Sequence, residues 1–368
     1  MNHLCNFAND RFQKHYSFPF TVFNVLQRHD LSSKASVSIK NETFKSFCSD
    51  LTNIPIDAVN NTVIESKEKG NSIILPDNEN KKLILRLMNQ ISLISSEVKG
   101  TLSSKIRIRN KIRAVIVSLG LPSFYLTVKP TDVFNSIAQI IDGTEFDLDD
   151  MKDRDIPNYW EQSCKVTQNL FLGAKFFHNY INCFVYTLLG RRTPDKMGVL
   201  GKYCGHYGTV EAQGRGSLHC HMLAWAEGSL NPQELKDKIT KENDIELLAH
   251  LLAYIDDTIH MSVPLPLPIK YPYVMSTKHN PCTVRGPRNI DKSYKEKCTQ
   301  DLSVLVEKCQ RHKHTNTCYK YDLKECRFGL SETNNVPKTY MDLESGELTF
   351  RVSDDMINAY NLTILRGV

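Results

Sequence analysis

Apolar residues follow two different periods along this chain. Between residues 81 and 120 they recur every three or four positions, in KKLILRLMNQISLISSEV (81–98) and SSKIRIRNKIRAVIVSLG (103–120), which predicts two helices. Gly100 offers the first a stop; Ser103 or Ser104 could cap the second, and Gly120 ends it. In the second helix Ile108, Ile112, Val115, Ile116 and Leu119 form an apolar stripe, and Arg109 and Arg113 share a face. The period then shortens. PSFYLTVKP (122–130), bounded by prolines, predicts a strand. NLFLGAKFFHNYINCFVYTLLG (169–190) predicts a long apolar helix packed across a sheet. YGTVEAQ (207–213) and SLHCHMLAWAE (217–227) predict a hairpin around Gly214-Arg215-Gly216. NPQELKDKITKENDIELLAHLLAYID (231–256) predicts one helix, opened by Asn231 with Pro232 in its first position. Elsewhere the pattern is weak. Residues 30–79 read as loosely ordered and polar, 142–163 as acidic and irregular, and 263–274 as a Pro-rich loop. The last hundred residues hold Cys and His with little periodicity.

Composition changes this picture little. The 368 residues are 41% hydrophobic and 24% charged, as in an ordinary globular protein with room for two or three domains. No apolar run approaches the roughly 20 residues that span a bilayer, and MNHLCNFANDRFQKH is too polar for a signal peptide, so a nuclear or cytoplasmic location without membrane association is expected. Eleven scattered cysteines suit reduced thiols, some held by a metal, better than a disulfide framework. A net charge of +5 says little about nucleic acid, so basic residues must be read locally.

The sharpest chemical feature is His219-Cys220-His221 on the second hairpin strand. Side chains at i and i+2 on a strand share a face, so the two imidazoles stand together with Leu218 and Cys220 behind them. A three-residue loop pairs Glu211 with His219 and Thr209 with His221, bringing Glu211 to the same face. A two-residue loop would turn Glu211 away; Gln213 or a residue of another strand is the alternative third ligand. Two imidazoles and a carboxylate suit a divalent metal; a plain pair of satisfied strand histidines is the competing reading.

In its flanks this stretch, YGTVEAQGRGSLHCHMLAWAEGSLNPQEL, resembles the signature of the helitron helicase-like N-terminal domain, the replication-initiator (Rep) nuclease part of Helitron rolling-circle transposases. The family pattern E-x-Q-x-RG-x-x-H-x-H is matched by Glu211, Gln213, Arg215, Gly216, His219 and His221. Four further blocks resemble the family in order: RFQKHYSFPFTVFNVLQR (11–28), residues 99–133 with their Thr-x-x-Pro turn, HKHTNTCYKYDLKECRFG (312–329) and MINAYNLTILRG (356–367). The resemblance implies an HUH endonuclease: Mg²⁺ or Mn²⁺ at His219, His221 and Glu211 polarises a phosphate while a tyrosine hydroxyl attacks it. It implies single-stranded DNA as partner, and strand 123–128 beside the histidine strand. The family's tyrosines lie beyond the segment matched by 356–367. Tyr321, in Tyr-Asp-Leu-Lys, is a weak candidate nucleophile inside the chain. The expectation is therefore a fragment, a remnant or one part of a longer transposase, with its enzymatic status open. No G-x-x-x-x-G-K-[ST] occurs, so a helicase domain encoded downstream in the intact element is the expected partner.

Cys309, His312, His314, Cys318 and Cys326 offer five ligands for a four-coordinate Zn²⁺. The resemblance selects His312, His314, Cys318 and Cys326 for a structural zinc, with Cys309 in reserve and Cys282 and Cys298 as free thiols. Lys308, Arg311, Lys313, Lys320, Lys324 and Arg327 are the densest basic patch, and Tyr319, Tyr321 and Phe328 between them could stack on bases. Arg215 could reach a phosphate; Trp225 and Leu223 would wall the histidine site. His178 reads as a core or edge histidine, and Asp132 as a turn or cap residue.

These readings combine into an α+β fold: a central antiparallel sheet with an HUH/Rep-type hairpin, flanking helices and a small Cys/His-rich segment. Residues 1–79 form a polar, irregular extension and 80–262 the Rep-like domain. Residues 263–368 carry the Pro-rich loop, the metal knuckle and a C-terminal extension. The alternatives are a non-catalytic DNA-binding remnant of the same fold, a metal-dependent hydrolase with no covalent step, and a zinc scaffold.

Overall fold

The structure is a computed structural model. It describes residues 12, 15–38, 46, 48–50, 52–69, 76–96, 98–143, 145, 158–193, 195–212, 217–265, 280–283, 286–316, 318–319, 325–331 and 333–367. Two compact units divide the chain, residues 1–118 and residues 119–368. Among the described residues no helix is long and apolar enough to cross a membrane.

The first unit is helical: α1 (Phe18–Ser38), α2 (Ile56–Lys69), α3 (Glu79–Ser95) and most of α4 (Leu102–Leu119). Helices α1 and α2 correct the reading of this region as irregular. The polar composition of α2 hides its pattern, but α3 packs on both helices and gives them a surface to form against. Buried Lys81 is held by Glu65 and Asp77, at 2.5 and 3.1 Å. Helix α3 ends four residues before the expected Gly100 stop, at the C-cap Ser96. Helix α4 is capped by Thr101, whose hydroxyl accepts the Ser104 amide at 3.1 Å, rather than by Ser103 or Ser104.

The second unit carries the sheet. Strands β1 (Phe124–Val128), β2 (Tyr203–Ala212) and β3 (Leu218–Ala226) pair antiparallel in the order β1-β3-β2. The fold is therefore α+β, with β3 central. Short α5 (Ser136–Ile141) and α6 (Tyr159–Gln168) precede the apolar α7 (Leu170–Cys183), which continues as a π-helical turn, Phe184–Leu188. Phe177, Phe184 and Val185 pack on Val128, Cys220 and Met222 to form the main core. Strands β1 and β3 thus bury one face in this core, while most of β2 stays exposed. Residues of opposite parity, Tyr125, Thr127, Glu211, His219 and His221, share the other face.

The predicted helix over 231–256 is two helices, α8 (Pro232–Thr240) and α9 (Ile245–Thr258). Asn243 adopts φ +55 between them, and the Asp244 side chain caps the second by accepting the Leu247 amide. The last hundred residues are more ordered than their pattern suggests. They hold α10 (Tyr294–Leu305), a π turn (Val306–Gln310), the two-stranded β4 (Tyr340–Met341) and β5 (Leu348–Thr349), and α11 (Leu362–Gly367). A second core joins Leu302, Val306, Ile357, Tyr360 and Leu365.

Candidate metal centres on the hairpin and in the Cys/His segment

The hairpin register decides the first site. Glu211 pairs with His219 and Thr209 with His221, as the three-residue loop predicts. The Glu211 carboxylate therefore lies over both imidazoles, its Oε2 3.5 Å from Nε2 of His219 and 3.5 Å from Nε2 of His221. Ligands about 2.1 Å from one ion sit roughly 3.0–3.5 Å apart, so this triangle fits a cation better than a hydrogen bond. The site grades from buried to open. Side-chain exposure is 5% for His219, 30% for His221 and 66% for Glu211. One edge is thus anchored and the other accessible to a substrate.

The rest of the ring chemistry differs between the two histidines. His221 turns Nδ1 to the Tyr125 hydroxyl at 2.8 Å and the Thr127 hydroxyl at 3.2 Å. The Tyr125 ring also stacks on the imidazole, 5.8 Å between centroids and 15° between planes. His219 Nδ1 is buried without a hydrogen-bond partner among the described residues. Behind the pair, burial raises the Cys220 thiol pKa, so it serves as an inert filler. Trp225 is buried on the histidine face and donates Nε1–H to the Gly120 carbonyl at 2.9 Å, a wall rather than a participant. Asp132 acts as a turn residue, accepting the Val133 amide and the Ser217 hydroxyl. His178 is not a core histidine: it is exposed on α7 and bonds Asn182 at 3.0 Å. Gln213 and Arg215 lie outside the described residues.

Tyr125 and Thr127 are partners of His221 that no motif in the sequence marks. Their alternation in FYLTV puts them on one face, but only the pairing of Thr127 with His221 aligns that face with the histidines.

The second site gathers His312, His314, Cys318 and Cys326, with one ligand atom from each within 4.8 Å of the others. His312 Nε2 faces Cys318 Sγ at 3.3 Å and Cys326 Sγ at 3.5 Å, spacings that suit thiolate and imidazole around one ion. Local turns build it: the Cys318 amide bonds the Thr315 carbonyl, and Arg327 N–H bonds the Cys318 carbonyl. The segment is tied down by His312 N–H to the Met356 carbonyl at 2.7 Å.

Cys309 stands outside this cluster. Its thiol faces Cys282 at 3.7 Å, so neither of these cysteines is isolated. A hydrogen bond from Cys309 lowers the Cys282 thiol to about 7, against the effect of burial. Arg311 leaves the basic patch too, because Glu307 holds it through two nitrogens, at 2.5 and 2.8 Å, and Asp354 adds a third contact at 2.9 Å. Lys313 and Arg327 remain exposed, the latter over the Phe328 ring at 4.5 Å. Lys320, Tyr321 and Lys324 lie outside the described residues.

A family model described as Helitron helicase-like domain at N-terminus matches residues 1–224. This protein belongs to that family. The match takes in the hairpin up to Ala224, with Glu211, His219 and His221, and stops before the Cys/His cluster. Membership of the Helitron helicase-like family ties the protein to a Helitron transposase-related function. Searches among curated proteins and among solved structures found no match.

Proposed function

We propose that the protein is the metal-binding nuclease part of a Helitron-type transposase, holding single-stranded DNA for nicking and strand transfer. The observation that carries this reading is the convergence of Glu211, His219 and His221 on the open face of β3 within the family-matched segment. A divalent ion there would draw charge from a bound phosphodiester and favour attack at phosphorus. Mn²⁺ suits two imidazoles and one carboxylate better than Mg²⁺, which prefers an all-oxygen shell. The HUH reaction is a transesterification: a tyrosine oxygen bonds to phosphorus, its proton is lost, and the 3′ oxygen leaves, giving a 5′-phosphotyrosine and a 3′-hydroxyl. Lys313, Arg327, Tyr319 and Phe328 beside the Cys/His cluster are exposed and combine charge with stacking surfaces, the pairing that tracks a single strand. The cluster itself would hold a structural Zn²⁺. A helicase domain from the same element is the proposed partner.

The test is a labelled single-stranded oligonucleotide incubated with protein and Mn²⁺, run on native and on denaturing gels. Retention at low salt is expected in wild type and largely in His219→Ala, because phosphate contacts carry it. A Mn²⁺-dependent protein–DNA adduct surviving denaturant, lost in His219→Ala and in Tyr321→Phe, would place the nucleophile at Tyr321. Retention without any adduct favours the non-cleaving DNA-binding reading. Cleavage without an adduct favours a water-using hydrolase. Failure to retain single-stranded DNA at low salt overturns all three.

A further inference from the structure

We infer that Tyr125 is a positioning residue of the hairpin metal centre: its hydroxyl oxygen accepts the Nδ1–H of His221 and keeps Nε2 of that imidazole open to the cation. The inference rests on the metal-site reading above.

The geometry on β1 supports it. Thr127 is the cross-strand partner of His221, and Tyr125, two residues earlier, shares its face. The Tyr125 hydroxyl is the shorter of two contacts to Nδ1, 2.8 Å against 3.2 Å for Thr127. A neutral imidazole has one N–H, and a cation on Nε2 forces that proton onto Nδ1. The Tyr125 oxygen must then accept, leaving its own hydroxyl proton to point away from the ring. Parallel stacking at 15° restrains both rings in this orientation. Tyr125 is 66% exposed, so the outward hydroxyl faces the open side of the site, where a phosphate of a bound strand could receive it.

The same hydrogen bond argues against Tyr125 as the attacking group. A nucleophilic tyrosine needs a base for its proton, and an imidazole with Nε2 on a metal and Nδ1 protonated has no free lone pair. Among the described residues His219 has no such partner for its Nδ1, so the two imidazoles differ in their surroundings. Thr127 gives His221 a second, longer acceptor.

The experiment compares wild type, Tyr125→Phe, Tyr125→Phe/Thr127→Val and His221→Ala. Mn²⁺ binding is followed by the electron paramagnetic resonance of free Mn²⁺. Loss of an outer partner of a metal-bound histidine weakens metal binding about 10- to 100-fold. Tyr125→Phe is expected at the lower end of that range and the double variant further along it. The thermal midpoint of Tyr125→Phe should stay that of wild type, because the ring and its packing remain. In Zn²⁺-loaded protein the His221 Nδ1–H proton should be visible and slow to exchange, and should exchange rapidly in the double variant. A purely structural role would lower the melting point without moving that proton. Tyr125→Phe binding Mn²⁺ as tightly as wild type overturns the assignment of Tyr125 and leaves the metal site standing. Mn²⁺ binding that His221→Ala leaves unchanged overturns the metal site and this inference together.

Discussion

Cys309 is three residues from His312, yet its thiol points to Cys282 at 3.7 Å instead of joining the Cys/His cluster. Counting ligands along the chain leaves five candidates for four positions; the direction of one side chain removes the fifth. Direction follows from local backbone. The π turn Val306–Gln310 places Cys309 before the bend, and the extended Arg311 starts the segment that carries the ligands. Cys309→Ser should therefore leave the zinc content of purified protein unchanged, whereas Cys318→Ser and Cys326→Ser should each lose most of it. Elemental analysis of the dialysed variants checks this, and zinc loss in Cys309→Ser would return it to the ligand set. Pairing in the hairpin is a similar residue-scale decision. Only the register places the Glu211 carboxylate 3.5 Å from both imidazoles.

At the scale of elements, the site depends on how β3 is held between β1 and β2 and pressed on α7. Met222 and Cys220 are almost fully buried on the core side, so the histidines on the other side cannot shift without moving the core. The turn that returns the chain from α7 to β2 has no room for a side chain. A Cβ at Gly198 would run into the Leu189 carbonyl, its carbon 2.5 Å away, while Val199 N–H bonds the Leu188 carbonyl at 2.8 Å. The nearest atoms are all backbone of Leu188 and Leu189, so no flexible side chain can yield. Gly198→Ala is expected to destabilise the protein by on the order of 3 kcal/mol, comparable to truncating a core residue such as Met222 to Ala. The midpoint in thermal unfolding should fall by roughly 5–10 °C. An unchanged midpoint would show that this turn relaxes freely. Strands β1 to β3 and α7 were legible from period and composition. The division of 231–256 into α8 and α9 was not, because Asn243 continues a helical pattern in sequence and breaks it only through its φ of +55.

For the whole molecule, net charge is a poor guide to partners. The chain carries only +5, and Arg311 is occupied by Glu307 and Asp354. Of the basic patch proposed to hold DNA, the exposed members among the described residues are Lys308, Lys313 and Arg327. Each phosphate neutralised on a single strand adds about 0.7 to the slope of log K against log salt. Replacing Lys313 and Arg327 together by Ala should reduce that slope by about 1.4 and weaken binding alike for different sequences. Titrations between low and moderate salt measure it, and an unchanged slope would move the strand to another surface.

Periodicity and spacing by themselves determined the hairpin, the apolar α7 and the strand at 124–128, and offered Glu211, His219, His221 and five Cys/His positions as candidates from which the resemblance chose four. They could do so because side-chain parity on a strand and the 3.6-residue repeat of a helix are local properties of the backbone. Only tertiary structure decided which nitrogen of His221 faces Glu211, that Tyr125 and Thr127 hold the other one, and that Cys309 leaves the cluster for Cys282. Tyr125 is 96 residues from His221, and Cys282 is 27 from Cys309. Contacts across such separations are set by how strands and turns pack, and no local period in the chain encodes them.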